Sequence, residues 1–375
     1  MMVPGAPTGM TAANWRAHPY APWAFRNVAA FLPTAPILGV APTDFLPGSP
    51  LSSLVLPCDD GMPTDLHAML DATHADGFIV LHRGRIVFEH YAEGMTAATQ
   101  HLCFSVTKSL VGLIAELLIA DGTIGPAAVA GTVVPELAGT GFAPAYLRDL
   151  LDMTDGVAFD EDYADSAAQI HDYSRHFWGD GGGGVLAALA RLPQRASCCK
   201  SFAYRTPVTD VVGLMLERLT GDPLERLLVD LVWGPAGAGP ATWVRDTGGR
   251  VIASAGLSCT LRDLARVGRL LATAADTPFA EARDAIATGG DRSLFAAGKQ
   301  PTRPGFSYRS FWWIDHPTGA MNAFGVFGQR LHVVPQDDLV IARFGSHPVA
   351  SNAATDLGNA RVNAAIRTAL GTAEI

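Results

Sequence analysis

At 375 residues the chain exceeds one ordinary domain, and two domains sharing a continuous core are expected. Hydrophobic residues at 49% and a mean hydropathy of +0.20 exclude a disordered chain, and a net charge of −9 excludes phosphate-backbone binding through a basic face. Five cysteines, two of them adjacent (Cys198, Cys199), suit neither a disulfide framework nor a zinc site. With no charged-then-apolar leader and no apolar run of roughly 18 residues, a soluble cytoplasmic protein with reduced thiols is expected.

Residues 1–60 are rich in Pro and Gly and read as an irregular arm, followed by a short helix over 65–74. Residues 78–91 form two β-rich runs around Arg83-Gly84, a hairpin signal. The stretch from Leu102 to Gly122 reads as a helix that is apolar nearly all round from Leu110 to Ala120, which places it inside a core. Its first turn is polar. Ser105 and Lys108 stand three apart and so share a face, beside backbone N–H groups that have no partner within the helix. A hydroxyl and an amine held there are a candidate nucleophile and base. The chain has only three lysines, Lys108, Lys200 and Lys299, and a Lys in a first turn opposes the helix dipole.

From 122 to about 249 the pattern is helical and loop-rich. Helices are expected over 145–153 and 185–192. A stronger one begins near Thr209 and ends at Gly221, and another follows Asp222-Pro223 over 224–231. Between them lie an acidic loop, 155–180, and the glycine run 181–184, which lacks the flanking strand and Lys-Ser/Thr of a phosphate cradle. His171 and His176, five apart with no supporting Cys or Glu pattern, do not make a metal site. Residues 257–272 read as an amphipathic helix with Thr260 as its N-cap. Residues 306–314, 325–334 and 339–344 read as strands, the last two joined by the turn sequence Pro335-Gln-Asp-Asp338, and 353–370 as a terminal helix. Strands at both ends and helices between predict an α+β two-domain fold. One antiparallel sheet with flanking helices is built from 1–124 and 250–375, and 125–249 forms an inserted all-helical domain.

Ser-x-x-Lys alone is a weak signal, since Ser197-Cys-Cys-Lys200 matches it too. Only Ser105–Lys108 has a helix behind it to fix the geometry. Proton transfer to a leaving group asks for a third polar group, and Tyr204, in Ser201-Phe-Ala-Tyr-Arg-Thr206, precedes the strong helix. With these pieces in that order, and a glycine-containing strand at Asn322-Ala-Phe-Gly-Val-Phe-Gly-Gln329, the chain resembles the serine β-lactamase/penicillin-recognising superfamily, class C-like branch. Within it the chain is most similar to the 6-aminohexanoate-dimer (nylon-oligomer) hydrolases and related carboxylesterases. The similar segments are Phe104-Ser-Val-Thr-Lys-Ser-Leu110, Val134-Pro-Glu-Leu-Ala-Gly139, Glu161-Asp-Tyr163, 256–269 and Phe327-Gly-Gln329.

The resemblance implies a β-lactamase/transpeptidase-like fold and a division of labour. Ser105 attacks the carbonyl carbon, Lys108 takes its proton, and Tyr204 relays that proton to the leaving group. The backbone N–H groups of Ser105 and Val326 hold the oxyanion, and Gly325 lets the backbone approach the substrate. It also implies that Tyr163 and Asp172 contact the substrate, Asp172 at an ammonium end. No metal and no cofactor are implied. The partners expected are a small-molecule amide or ester, not nucleic acid or membrane, with a homodimer left open. Two departures restrict the substrate. Thr206 stands where the superfamily's Tyr-x-Asn box has Asn, and Ala323-Phe324-Gly325 replaces Lys-Thr-Gly. Loss of those β-lactam-gripping groups favours a linear amide of the 6-aminohexanoate-dimer type. The alternatives are a carboxylesterase with little amidase activity and a non-catalytic binding module on the same scaffold.

Overall fold

The computed structural model describes residues 5–49, 51, 54, 56, 65–179, 182–192, 201–275, 277–298 and 303–371. Among the described residues twelve strands occur in chain order: β1 (Thr34–Ile37), β2 (Leu46–Pro47), β3 (Ala75–His82), β4 (Arg85–Tyr91), β5 (Gln100–Leu102), β6 (Ala241–Val244), β7 (Leu257–Thr260), β8 (Phe306–Arg309), β9 (Trp312–Asp315), β10 (Ala320–Gly325), β11 (Gln329–Val334) and β12 (Leu339–Gly345). They make two sheets where the sequence predicts one. The larger has the order β2-β4-β3-β12-β11-β10-β9-β8 and the smaller β1-β6-β7-β5. Both chain ends build the larger sheet as expected, and every pair is antiparallel except β2–β4.

Alternation along the strands sorts side chains into two cores. On β3, Ile79 and Leu81 join the large core that holds the helix Val106–Ala120, whereas Phe78 and Val80 join a second cluster with Val362 and Ile366 of the terminal helix Ala353–Ala369. The helix Leu261–Thr273 lies on β3, β11 and β12. The helix Val106–Ala120 is buried along nearly its whole length, as its all-round apolar sequence predicts, and rests against β10, β11 and the helix Thr206–Thr220. Gly112 makes that packing possible: a Cβ there would lie 1.8 Å from the Ser310 carbonyl oxygen. Its one buried acid, Glu116, is held bidentately by Arg148 (2.7 and 3.1 Å).

Three expectations are corrected. Residues 257–260 are strand β7, and the helix begins only at Leu261, with the Thr260 hydroxyl capping Asp263 N (3.1 Å). The stretch 125–249 is not all-helical, since it contains β6. The helix expected from Leu102 starts at Val106, preceded by β5 and a tight turn. The second Ser-x-x-Lys match, Ser197–Lys200, lies outside the described residues.

Candidate active site

The turn between β5 and the helix Val106–Ala120 carries the site. Cys103 N donates to the Leu257 carbonyl of β7 (2.8 Å), and Phe104 then adopts φ +45°, a conformation that non-glycine residues rarely take. Aromatic contacts to Phe25 (4.8 Å between centroids) and Phe327 (5.2 Å) hold Phe104 in that shape. Ser105 follows at the N-cap position, but its side chain makes no capping bond. The other polar side chains of the turn are engaged structurally. Thr107 Oγ1 accepts from Leu257 N (3.2 Å) and Ser109 Oγ donates to the Phe311 carbonyl (2.6 Å).

Lys108, 1% exposed, donates to Ser105 Oγ (2.9 Å) and to the Ser254 carbonyl (2.8 Å). Burial pulls its pKa down to about 8, against the opposing pull of Glu161 and Asp210. Its ammonium nitrogen lies 5.4 Å from the centre of the Tyr204 ring. Tyr204 interacts with the Ser105 side chain and stacks on Trp313 (5.7 Å, 22°); burial, then Glu161, push its phenol above the ordinary range. The structure thus brings Ser105, Lys108 and Tyr204 into one cluster.

The outer ring contains groups that the sequence reading left without a role. Glu161 accepts from Thr206 N (2.5 Å), Thr206 Oγ1 (2.6 Å) and the Tyr163 hydroxyl (3.2 Å), and burial raises its pKa against the pull of Lys108. Thr206, where the superfamily pattern has Asn, is thereby tied to Glu161. Asp210, buried one turn along the helix from Thr206, accepts from Ser254 N (3.0 Å) and the Tyr173 hydroxyl (3.0 Å); burial pushes it up to about 7. A carboxylate on the apolar face of a helix, four residues from Thr206, was the available signal for it.

Ser105 lines two adjoining cavities. One, of about 240 Å3, includes Lys108, Tyr163, His171, Thr206 and Val326. The other, of about 460 Å3, includes Glu161, Tyr163, Tyr204, Trp313, Gly325 and Val326. Tyr163 and Val326 therefore face the site from both sides. Gly325 is needed for a contact other than the one expected: a Cβ there would lie 2.7 Å from the Cys103 carbonyl oxygen, so its absence lets β10 close on the Ser105 turn. The turn carrying Val326 is clamped by Asn352, whose Nδ2 donates to the Gly325 carbonyl (2.8 Å) and whose Oδ1 accepts from Gly328 N (3.0 Å). Gln329 adds a bond from Nε2 to the Val326 carbonyl (3.2 Å). Asp172 is not brought to the site. It lies in the helix Gln169–Trp178 but lines neither cavity, and its side chain is 70% exposed and paired with Arg175. The acidic segment folds as a helix there and points that position at solvent.

The approach to Tyr204 depends on its neighbour. Arg205 donates to Asp155 (2.7 Å), the Met153 carbonyl (3.0 Å) and the Val157 carbonyl (3.0 Å), all buried. Arg205→Met is expected to lower unfolding free energy by about 3–5 kcal/mol, because it takes the cation from a fully buried carboxylate. Urea denaturation followed by tryptophan fluorescence measures it, and a loss below about 1 kcal/mol would show the pair to be dispensable.

The model of the beta-lactamase family matches residues 68–364. The chain is 32% identical to 6-aminohexanoate-dimer hydrolase from Paenarthrobacter ureafaciens, over 92% of this chain and 90% of that protein. Among solved structures, a Bacillus anthracis protein provisionally named 6-aminohexanoate-dimer hydrolase superposes with a TM-score of 0.86 at 24% identity, covering 98% of each chain. EstCE1, a hydrolase with promiscuous acyltransferase activity, gives 0.64 at 15% identity, covering 80% of this chain and 96% of its own. Matched over most of its length by the family model, and sharing about a third of its residues with a relative of nearly equal extent, the chain belongs to the beta-lactamase family.

Proposed function

We propose that this hydrolase of the beta-lactamase family cleaves a short linear amide of the 6-aminohexanoate-dimer type through an acyl-Ser105 intermediate. The observation that carries the reading is the 2.9 Å contact between a buried lysine amine and a serine hydroxyl that caps nothing. A general base has to be within hydrogen-bond reach and have a pKa near working pH, and Lys108 meets both conditions. In its neutral form the amine accepts the Ser105 proton as Oγ attacks the carbonyl carbon. Tyr204, kept protonated by burial, passes a proton to the leaving nitrogen and is reprotonated from Lys108. The amides of Ser105 and Val326 hold the developing oxyanion, the second on the turn clamped by Asn352. Tyr163, donating to Glu161 at the cavity wall, contacts the scissile region. Water then repeats the sequence on the acyl-enzyme. Thr206 bonded to Glu161, and Phe324 in place of a Lys-Thr pair, support a linear substrate over a β-lactam. The same machinery acts on esters.

Incubation with the linear dimer and with p-nitrophenyl acetate, followed by intact-mass and peptide mass spectrometry, tests the reading. Amide turnover with an acyl adduct on Ser105 is expected. Ester turnover alone would leave a carboxylesterase, and no adduct and no turnover with either substrate would leave a binding module.

A further inference from the structure

Lys108 is aimed by a carbonyl. A neutral amine that accepts the Ser105 proton must turn its lone pair to Oγ, and an acceptor for its N–H groups fixes that direction. The Ser254 carbonyl takes one N–H at 2.8 Å, and Ser105 Oγ lies 2.9 Å from the same nitrogen. Ser254 sits in the turn between Val251 and β7, where Ala255 N and Gly256 N both donate to the Ile252 carbonyl. Beyond Lys108 itself, Ser254 is tied to the body of the protein by Asp210, whose Oδ1 accepts from Ser254 N (3.0 Å).

Asp210 belongs to the helix Thr206–Thr220 and is buried. Its Oδ2 accepts from the Tyr173 hydroxyl (3.0 Å), which comes from the helix Gln169–Trp178 that walls the 240 Å3 cavity. What Asp210 lacks is an arginine. The buried acids Asp76, Glu116, Asp155 and Asp263 each accept from one, at 2.7, 2.7, 2.7 and 2.9 Å. Among the described residues Asp210 makes no such pair, and its two donors, a backbone N–H and a phenol, are neutral. Arg250, which lines a narrow cleft beside Asp210, is engaged by Glu217 (2.6 Å). The cation that acts on Asp210 is Lys108. Lys108 in turn is drawn by Glu161 and Asp210 and faces the Tyr204 ring, while Tyr173 also feels Glu161 and Asp246. Burial pushes Asp210 up to about 7 and Lys108 down to about 8, so the acid carries its charge where the amine begins to lose its own.

We infer that Asp210 is a positioning residue for the base: it pins the Ser254 carbonyl that aims Lys108 at Ser105, and its carboxylate answers the ammonium formed when the proton crosses. The inference rests on the acyl-serine reading and adds to it what holds the base and sets its working pH. In that step the Ser105 O–H bond breaks, its electron pair goes to the carbonyl carbon, and the proton bonds to Lys108 Nζ, which becomes a cation. The cation forms away from water, where a carboxylate with no arginine to cancel it acts more strongly than it would in solvent. An acid already paired with an arginine would offer the new charge little.

A fluorophosphonate probe tests this, because it reports attack by Ser105 with fluoride as the leaving group and needs neither amide nor ester turnover. Its second-order rate on the native chain is expected to rise with pH through a midpoint at about 8. Asp210→Asn keeps the shape and removes the charge, and should move that midpoint down by about one pH unit and lower the plateau, since a lysine without its counter-charge is a weaker base. A midpoint left in place, with the rate lowered at every pH, would show a role confined to packing and overturn the inference; so would a midpoint that moves up. Circular dichroism reports whether the variant folds. If it does not, Tyr173→Phe takes its place, because an acid deprived of that donor keeps its proton to higher pH and pulls less on Lys108. Its midpoint should also move down, by less, and an unmoved midpoint there would overturn the inference. Absence of an adduct on Ser105 of the native chain at every pH would overturn the acyl-serine reading itself, and the role of Asp210 with it.

Discussion

Ser105→Ala is expected to lower kcat by about 10^4- to 10^6-fold while the protein stays folded, the range found when a covalent nucleophile is removed from a serine enzyme. The separation of the two effects follows from how the turn is built. The Ser105 hydroxyl caps no backbone group, so alanine costs the helix Val106–Ala120 no terminal bond. Lys108 keeps its bond to the Ser254 carbonyl when Oγ is gone. The strained Phe104 backbone is held by aromatic packing and by Cys103 N bonding to Leu257, neither of which touches the Ser105 side chain. A change in unfolding free energy of no more than about 1 kcal/mol is therefore expected, about one hydrogen bond. Steady-state turnover beside a urea titration reads both quantities. Retention of more than a hundredth of native kcat would remove Ser105 from the nucleophile's place.

Removing the base should be nearly as costly and should also reshape the pH profile. A base must be neutral to act, and burial makes Lys108 neutral above about pH 8. Below that value the neutral fraction falls tenfold per pH unit, so kcat/KM is expected to rise with pH through about 8 and then level off. Tyr204 does not titrate in this window, because burial and Glu161 raise its phenol. The rising limb therefore belongs to the network of Lys108 with Glu161 and Asp210. Lys108→Met should cut kcat/KM by about 10^3-fold or more and abolish the limb, whereas Tyr204→Phe should cut the rate and keep it. A native profile flat from pH 6 to 9 would take Lys108 out of the proton path.

Much of this was legible in the sequence because it is local. An apolar stretch with a Ser-x-x-Lys turn gives a buried helix and the contact of Ser105 with Lys108, Arg83-Gly84 gives the hairpin of β3 and β4, and Gly221 closes its helix at φ +80°. Beyond the joining of the two chain ends in one sheet, what depends on distant pairing was hidden. Leu257-Ser-Cys-Thr260 is four residues long and runs straight into a helix, and only its pairing with β5 and β6 makes it a strand. Phe104 takes its positive φ from aromatic neighbours far along the chain, so nothing in its own triplet announces the turn. Asp172 illustrates the reverse error: a plausible acid in a suitable segment, which the helix Gln169–Trp178 turns outward.

Asn352 stands at the boundary of the terminal helix yet gives its side chain to the Gly325–Gly328 turn and caps nothing in its own helix. The last helix thus works as a latch on the turn that carries Val326. It is seated on the sheet through a narrow strip that includes Val362 and Ile366, while residues such as Leu357 on its other side stay exposed. Lifting its first turn would release both ends of that turn without unpairing a strand. The shape of the cavity wall beside Ser105 is therefore a more local and more fragile property of this molecule than its foldedness.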